Sequence, residues 1–306
     1  MRSFRSRHLV ARVSRRTSAG LLALVVALLV AGRVRAAGEH GEVVRWGSLG
    51  ILNNQWGAAL GHATPESFQR IRVDGARVVF DFDWRNKAPD DKNWVKAYPA
   101  IVAGWHYGVP VYPGDAVVGR LPQRVSSRPT LKTTMSARRS GEAETDAMNL
   151  AWDLWLTASK PDPLATTPVL PAAEVMIWPW RQQQWPMTLE GSSTKPCSLK
   201  PAEAIGAKPI VTNISLWQRS WDLYLGCASS GETVWPVLSF IAQQPLTAAD
   251  GTVAADGQLG DFLAYATSNV RSWTQWDPSW WVAGVEFGSE IIQGGGSWTI
   301  DYRIEP

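Results

Sequence analysis

Three short segments of this chain combine carboxylates with aromatic or apolar residues at the two-residue period of a β-strand. In Glu174-Val175-Met176-Ile177-Trp178, alternation puts Glu174, Met176 and Trp178 on one face and leaves Val175 and Ile177 for a core. In Leu150-Ala151-Trp152-Asp153-Leu154-Trp155, the same parity sets Asp153 with Ala151 and Trp155, opposite Leu150, Trp152 and Leu154. Further on, Glu286, Gly288 and Glu290 share a face against Val285 and Phe287. Three strands can therefore offer carboxyl groups to one surface that also displays aromatic rings. Such a surface can cleave a glycosidic bond: one carboxylate attacks the anomeric carbon or activates water, and a second, kept protonated by its surroundings, protonates the leaving oxygen. Acidic residues on the solvent face of a strand are also commonplace, so parity alone does not choose among them.

The elements that must carry these residues read as β-structure. Strand-like runs recur at 76–84, 100–105, 150–156, 174–178, 233–242, 281–287 and 297–304, separated by segments rich in Gly, Pro, Asp and Asn, the pattern of an all-β sandwich. The polar, basic stretch 122–145 and the proline-rich stretch 160–172 are expected to be loops within the domain. One segment has helical periodicity instead. Leu259, Phe262, Leu263, Ala266, Val270 and Trp273 fall on one face, which predicts a single helix over about 258–274 lying against the sandwich. Most of the 18 tryptophans are expected in the core, with a few left as platforms for sugar rings.

Residues 1–37 carry eight arginines and no acidic residue, followed by a ten-residue apolar run and small residues at Ala36 and Ala37. This is the pattern of an export signal, and the run is short of the roughly 20 residues a membrane-spanning helix needs. The pair Arg15-Arg16 fits twin-arginine export, and such pairs also arise in any basic leader. Removing eight of the 30 Lys and Arg leaves 22 against 27 Asp and Glu, so the mature chain is acidic by five charges and gives no support to nucleic-acid binding. The expected organisation is a signal peptide at 1–37 and a single catalytic domain at 38–306, exported to a periplasm or to the outside, without stable membrane association and monomeric. Cys197 and Cys227 can pair in an oxidising compartment, although sequence does not set their geometry. Two cysteines and four scattered histidines make no zinc pattern, and no metal or other cofactor is expected.

Six motifs in order, Asn53-Asn54-Gln55-Trp56-Gly57, Val95-Lys96-Ala97-Tyr98-Pro99, Asn149-Leu150-Ala151-Trp152-Asp153-Leu154, Glu174-Val175-Met176-Ile177-Trp178, Trp221-Asp222-Leu223-Tyr224-Leu225-Gly226 and Phe287-Gly288-Ser289-Glu290, resemble glycoside hydrolase family 12 from about residue 46 to 304. The resemblance implies a β-jelly-roll sandwich of two curved antiparallel sheets with an open cleft and one packed helix. It also implies retaining hydrolysis of internal β-1,4-glucosidic bonds in β-glucan polysaccharides. By the same resemblance, Glu174 is the nucleophile, Glu290 the acid/base and Asp153 a support beside the nucleophile. Trp56 would stack on a glucosyl ring on the non-reducing side of the cut, with Asn54 bonding that sugar. Asn149, Met176 and Trp178 would border the same cleft.

The chain departs from the family pattern in two places. Ile291-Ile292 stand where Pro-Phe is usual, and Pro179 and the insertion Trp180-Arg181-Gln182-Gln183-Gln184-Trp185 follow Trp178. These changes bear on the cleft walls and on substrate preference, leaving a xyloglucan-specific hydrolase or a transglycosylase as alternatives with the same residues. Glu286, on Glu290's face, is the rival proton donor. A non-catalytic carbohydrate-binding module would use aromatic platforms but has no need of two glutamates placed across a cleft.

Overall fold

Val, Ile, Trp and Phe alternating with polar residues give extended segments that must bury one face, and stacking two sheets is how this chain does it. The structure, a computed structural model, describes residues 35–85, 94–111, 121–190, 197–201 and 205–305. In chain order the strands are β1 (Arg35–Ala37), β2 (Val43–Trp46), β3 (Leu49–Leu52), β4 (Phe68–Asp74), β5 (Arg77–Asp83), β6 (Ala100–His106), β7 (Val109–Pro110), β8 (Gln123–Arg124) and β9 (Lys132–Ser140). They continue as β10 (Ala147–Thr157), β11 (Ala173–Gln182), β12 (Val211–Leu216), β13 (Arg219–Ser230), β14 (Thr233–Ala242), β15 (Val253–Gln258), β16 (Trp281–Gly288), β17 (Ile291–Gln293) and β18 (Gly295–Glu305). Helix α1 (Leu259–Asn269) lies between β15 and β16.

The smaller sheet runs β1-β4-β5-β18-β9-β15, and the larger runs β12-β13-β14-β11-β10-β16-β6-β3-β2, with β17 beside β10, β7 beside β6 and β8 beside β16. This is the expected jelly-roll sandwich, and its pairs are antiparallel except for β11 and β14, which run parallel. That exception arises because β13 and β14 form a hairpin, and it is the second arm of the hairpin that docks on β11.

The core fills the space between the sheets: Phe80, Met135 and Trp298 from the smaller sheet meet Trp152, Val175, Phe240 and Phe287 from the larger. Helix α1 adds Phe262, whose ring meets Trp217, Trp221 and Phe240 edge to face. The opposite face of the larger sheet carries two separate apolar clusters, one around Met176, Trp178, Tyr224 and Trp235 and one around Leu52, Tyr98 and Val102.

Two expectations are corrected. The stretch 122–145 is not a loop throughout, since β9 pairs with both β18 and β15. Its side chains alternate exposed and buried, with Thr133, Met135 and Ala137 turned inward, a pattern masked by its polar and basic outer residues. Helix α1 ends five residues short of the predicted 274. The Thr267, Ser268 and Asn269 side chains bond the carbonyls of Leu263, Ala264 and Tyr265, four residues back, which competes with continued helix. At the other end, Arg35–Ala37 pair with β4. The remainder of the export segment lies outside the described residues, and among the described residues no helix is long and apolar enough to cross a membrane.

Candidate active site

Register sets the carboxyl groups side by side. On the outward face of the larger sheet one row of paired residues crosses six strands: Val102, Glu286, Asp153, Met176, Ser239 and Tyr224. The adjacent row holds Trp155, Glu174, Val237 and Gly226. Glu174 is therefore the diagonal neighbour of Asp153, within reach of its side chain. The two faces separate as alternation predicts, because Val175, Ile177, Leu150, Trp152 and Leu154 all enter the core.

Each carboxylate has distinct partners. Trp235 donates its indole N–H to Glu174 Oε2 at 3.1 Å. Glu290 Oε2 accepts from Asn149 Nδ2 at 2.8 Å and from Gln184 Nε2 at 3.1 Å. Glu286 is fully buried; its Oε1 lies 2.6 Å from His106 Nδ1 and accepts from Trp155 Nε1 at 2.8 Å. Asp153 is buried at 2% exposure with Oδ1 unpartnered among the described residues.

The electrostatics follow from this burial. Desolvation disfavours a charged carboxylate. Glu290 is pushed up to about 7, chiefly by burial, while the Asn149 and Gln184 hydrogen bonds pull it back toward the ordinary range. Burial also raises Glu174 and Asp153 far above ordinary carboxylates, and each is raised further by neighbouring negative charge. Glu174 is pushed up to about 8 even though the Trp235 indole N–H favours its anion, and Asp153 Oδ1 has no such donor among the described residues. Tyr107, at the turn after β6, lies over the same ground: its ring is 4.7 Å from Trp155, and burial followed by the charges of Glu174, Asp153 and Glu286 raises its hydroxyl pKa.

The other residues singled out from sequence are placed as follows. Trp56 follows β3 and is 36% exposed; its backbone N–H donates to Asn54 Oδ1 at 3.2 Å. Met176 and Trp178 lie on the outward face but are only 4% and 2% exposed, so they floor the site rather than stand out from it. Asn149 has no exposed surface: Nδ2 holds the Glu290 carboxylate and Oδ1 accepts the Glu290 backbone N–H at 2.9 Å. Both ends of its carboxamide are thus engaged by Glu290. Sequence reasoning missed Gln184, His106, Trp235 and Tyr98, whose hydroxyl donates to the Ala151 carbonyl at 3.0 Å. For Trp235 a signal existed, since the 233–242 strand was recognisable. For His106 there was none, because its partner lies 180 residues away.

Of the nine buried side-chain polar atoms without a partner among the described residues, five belong here: Asp153 Oδ1, Glu286 Oε2, Trp178 Nε1, Ser239 Oγ and Gln184 Oε1. Buried polar atoms are nearly always bonded, and a cluster of exceptions is a feature of functional sites rather than of an ordinary core.

A jelly roll whose outward face sets buried carboxyls among aromatic rings has the parts of a glycoside hydrolase. A sequence model described as glycosyl hydrolase family 12 matches residues 47–303, and the chain belongs to that family. It is similar to Endoglucanase S of Pectobacterium parmentieri, 24% identical over 262 residues covering 83% of this chain and 81% of that one. Among solved structures, a native family 12 xyloglucanase from Bacillus licheniformis superposes with a TM-score of 0.67 at 22% identity, covering 88% of this chain and 99% of the other. Endoglucanase cel12A from Rhodothermus marinus gives 0.60 at 21% identity, covering 89% and 98%. At these identities the solved structures establish the fold alone.

Proposed function

We propose that this chain is an exported, monomeric endo-β-1,4-glucanase that cuts internal bonds of cellulose-like or mixed-linkage β-glucans with retention of configuration, without a cofactor. The observation that carries the proposal is geometric: Glu174, bonded by Trp235 and diagonal to Asp153, and Glu290, bonded by Asn149 and Gln184, are two buried carboxyls near enough that the charge of Glu290 raises Glu174. Glu174 attacks the anomeric carbon while Glu290 protonates the departing oxygen; Glu290, now ionised, then takes a proton from the water that hydrolyses the glycosyl-enzyme. Asp153 holds the proton that would otherwise neutralise the nucleophile. Trp56 supplies a stacking surface for a sugar ring on the non-reducing side. Export is supported by the leader pattern and by the Cys197–Cys227 disulfide, since such bonds persist in oxidising compartments.

The test is release of reducing ends from carboxymethyl-cellulose, barley β-glucan and xyloglucan by the wild type, Glu174→Gln and Glu290→Gln. Wild-type cutting with a loss of about a thousandfold or more in each folded variant is expected, since the two residues act as a unit. A folded wild type that binds these polymers and cuts none of them defeats the proposal. The panel also separates a preference for xyloglucan from one for unbranched chains.

A further inference from the structure

The segment after β11 does more than extend a wall. Gln184 is 3% exposed and donates to Glu290. Three residues on, Met187 stands over Gly226 of β13 so closely that a Cβ there would lie 2.6 Å from Met187 Cγ. Gly226 occupies the Glu174 row, so its missing Cβ would point to the same outward face. The segment therefore crosses that face from the proton donor to β13, two strands beyond β11. Between its two anchors lies Trp185, 66% exposed.

Arg181 supports the indole from beneath, its guanidinium 3.9 Å from the ring centroid. Arg181 pairs in register with Asn149 and acts electrostatically on Tyr224, so it rises from the same face. The Arg181 Nη1 also donates to the Gln184 carbonyl at 2.9 Å, which fixes the turn that presents the ring. A cation covering one face of an indole leaves the other face open and orients the ring as a platform.

Strand order gives this platform a side. Glu290 is held on β10; β3, which leads to Trp56, lies three strand spacings away in one direction, and β13 lies three in the other, about 14 Å each way. We propose that Trp185, held by Arg181, is a binding platform for a β-1,4-linked glucosyl unit on the leaving-group side, opposite Trp56. The inference rests on the endoglucanase reading. Hydrophobic C–H faces of the sugar stack on the free face of the indole, and the polymer spans the carboxyls between two tryptophans.

Initial rates and product distributions on cellohexaose, and rates on an aryl β-cellobioside whose leaving group is too short to reach the platform, test this with the wild type, Trp185→Ala and Trp185→Phe. The expected result for Trp185→Ala is a rise in KM for cellohexaose of about tenfold, the scale of one lost aromatic contact. Its effect on the aryl glycoside should be smaller, and its products should shift toward shorter leaving fragments, with Trp185→Phe recovering most of the loss. An unchanged KM and product pattern in Trp185→Ala overturns the inference, as does an equal change on both substrates. A folded wild type that cuts neither substrate overturns the endoglucanase reading itself.

Discussion

Asn149 and Glu290 clasp each other through three hydrogen bonds. The Asn149 carboxamide donates to the Glu290 carboxylate at 2.8 Å and accepts the Glu290 backbone N–H at 2.9 Å, while the Asn149 backbone N–H donates to the Glu290 carbonyl at 3.1 Å. One buried side chain thus fixes both the position and the proton affinity of the group proposed as acid. Asn149→Ala should lower kcat by about ten- to a hundredfold through lost positioning. It also removes a donor that favours the anion, so Glu290 should hold its proton to higher pH. A pH profile of kcat/KM checks this: the alkaline limb moves upward in the variant, and a limb that stays put or moves downward contradicts the assignment of that limb to Glu290.

Gln184 donates to the same oxygen from the inserted segment and predicts the same sign. Gln184→Met keeps the volume and removes the donor, while relieving the unpartnered Oε1. The alkaline limb should again rise, with a loss of kcat of only about threefold, because the stronger Asn149 clasp remains. Differential scanning should find the fold unchanged within about 1 kcal/mol, the scale of one hydrogen bond.

Asp153 should trade stability for function. Its carboxyl is raised by burial and then by Glu174, so the stability it contributes is fully present below the ordinary carboxylate range and is lost as pH rises toward its folded value. Asp153→Asn abolishes that titration. The variant should melt roughly 3 °C or more above the wild type at pH 8 and close to it at pH 4, while kcat falls by about tenfold or more because Glu174 loses its proton-holding neighbour. A variant with wild-type kcat at every pH would falsify the supporting role.

How much of this was legible in the sequence differs between strands and partners. Alternation sorted Glu174, Asp153 and Glu286 from Val175, Leu154 and Phe287 correctly, because a strand with one buried face must keep its period; Glu290 lies between β16 and β17, where the period no longer applies. It failed at β9, where Lys132, Arg138 and Arg139 concealed a buried alternation of small and flexible residues. The two roles of Asn149 and the His106 contact with Glu286 were not legible, since each joins side chains 141 or 180 residues apart and depends on register. Motif resemblance placed Asn149 near the site; only the hydrogen bonds tie it to Glu290.

Glu286, the rival donor, is fully buried and bonded to His106 and Trp155, whereas Glu290 retains some exposure. Glu286→Gln should therefore retain kcat within about a factor of ten, in contrast to Glu290→Gln. It also removes a negative charge that raises Glu174, so the acidic limb of kcat/KM should move to lower pH. Loss of activity as deep as that of Glu290→Gln, in a folded Glu286→Gln, would transfer the proton-donor role to Glu286.

The Cys197–Cys227 disulfide closes a loop with a sequence separation of 30 and ends the segment that carries Gln184 and Trp185. Chain entropy for a loop of that length gives about 3.5 kcal/mol of stabilisation, since the bond restricts the unfolded chain. Replacing both cysteines with serine should therefore lower the melting temperature by roughly 10 °C. Because Cys227 adjoins Gly226, over which Met187 packs, the same variant should also loosen the platform. At a temperature where the variant is still folded, its KM for cellohexaose should rise more than its KM for a short aryl glycoside. Equal KM values for wild type and variant on both substrates would mean that Gln184 and Met187 hold the segment without the disulfide.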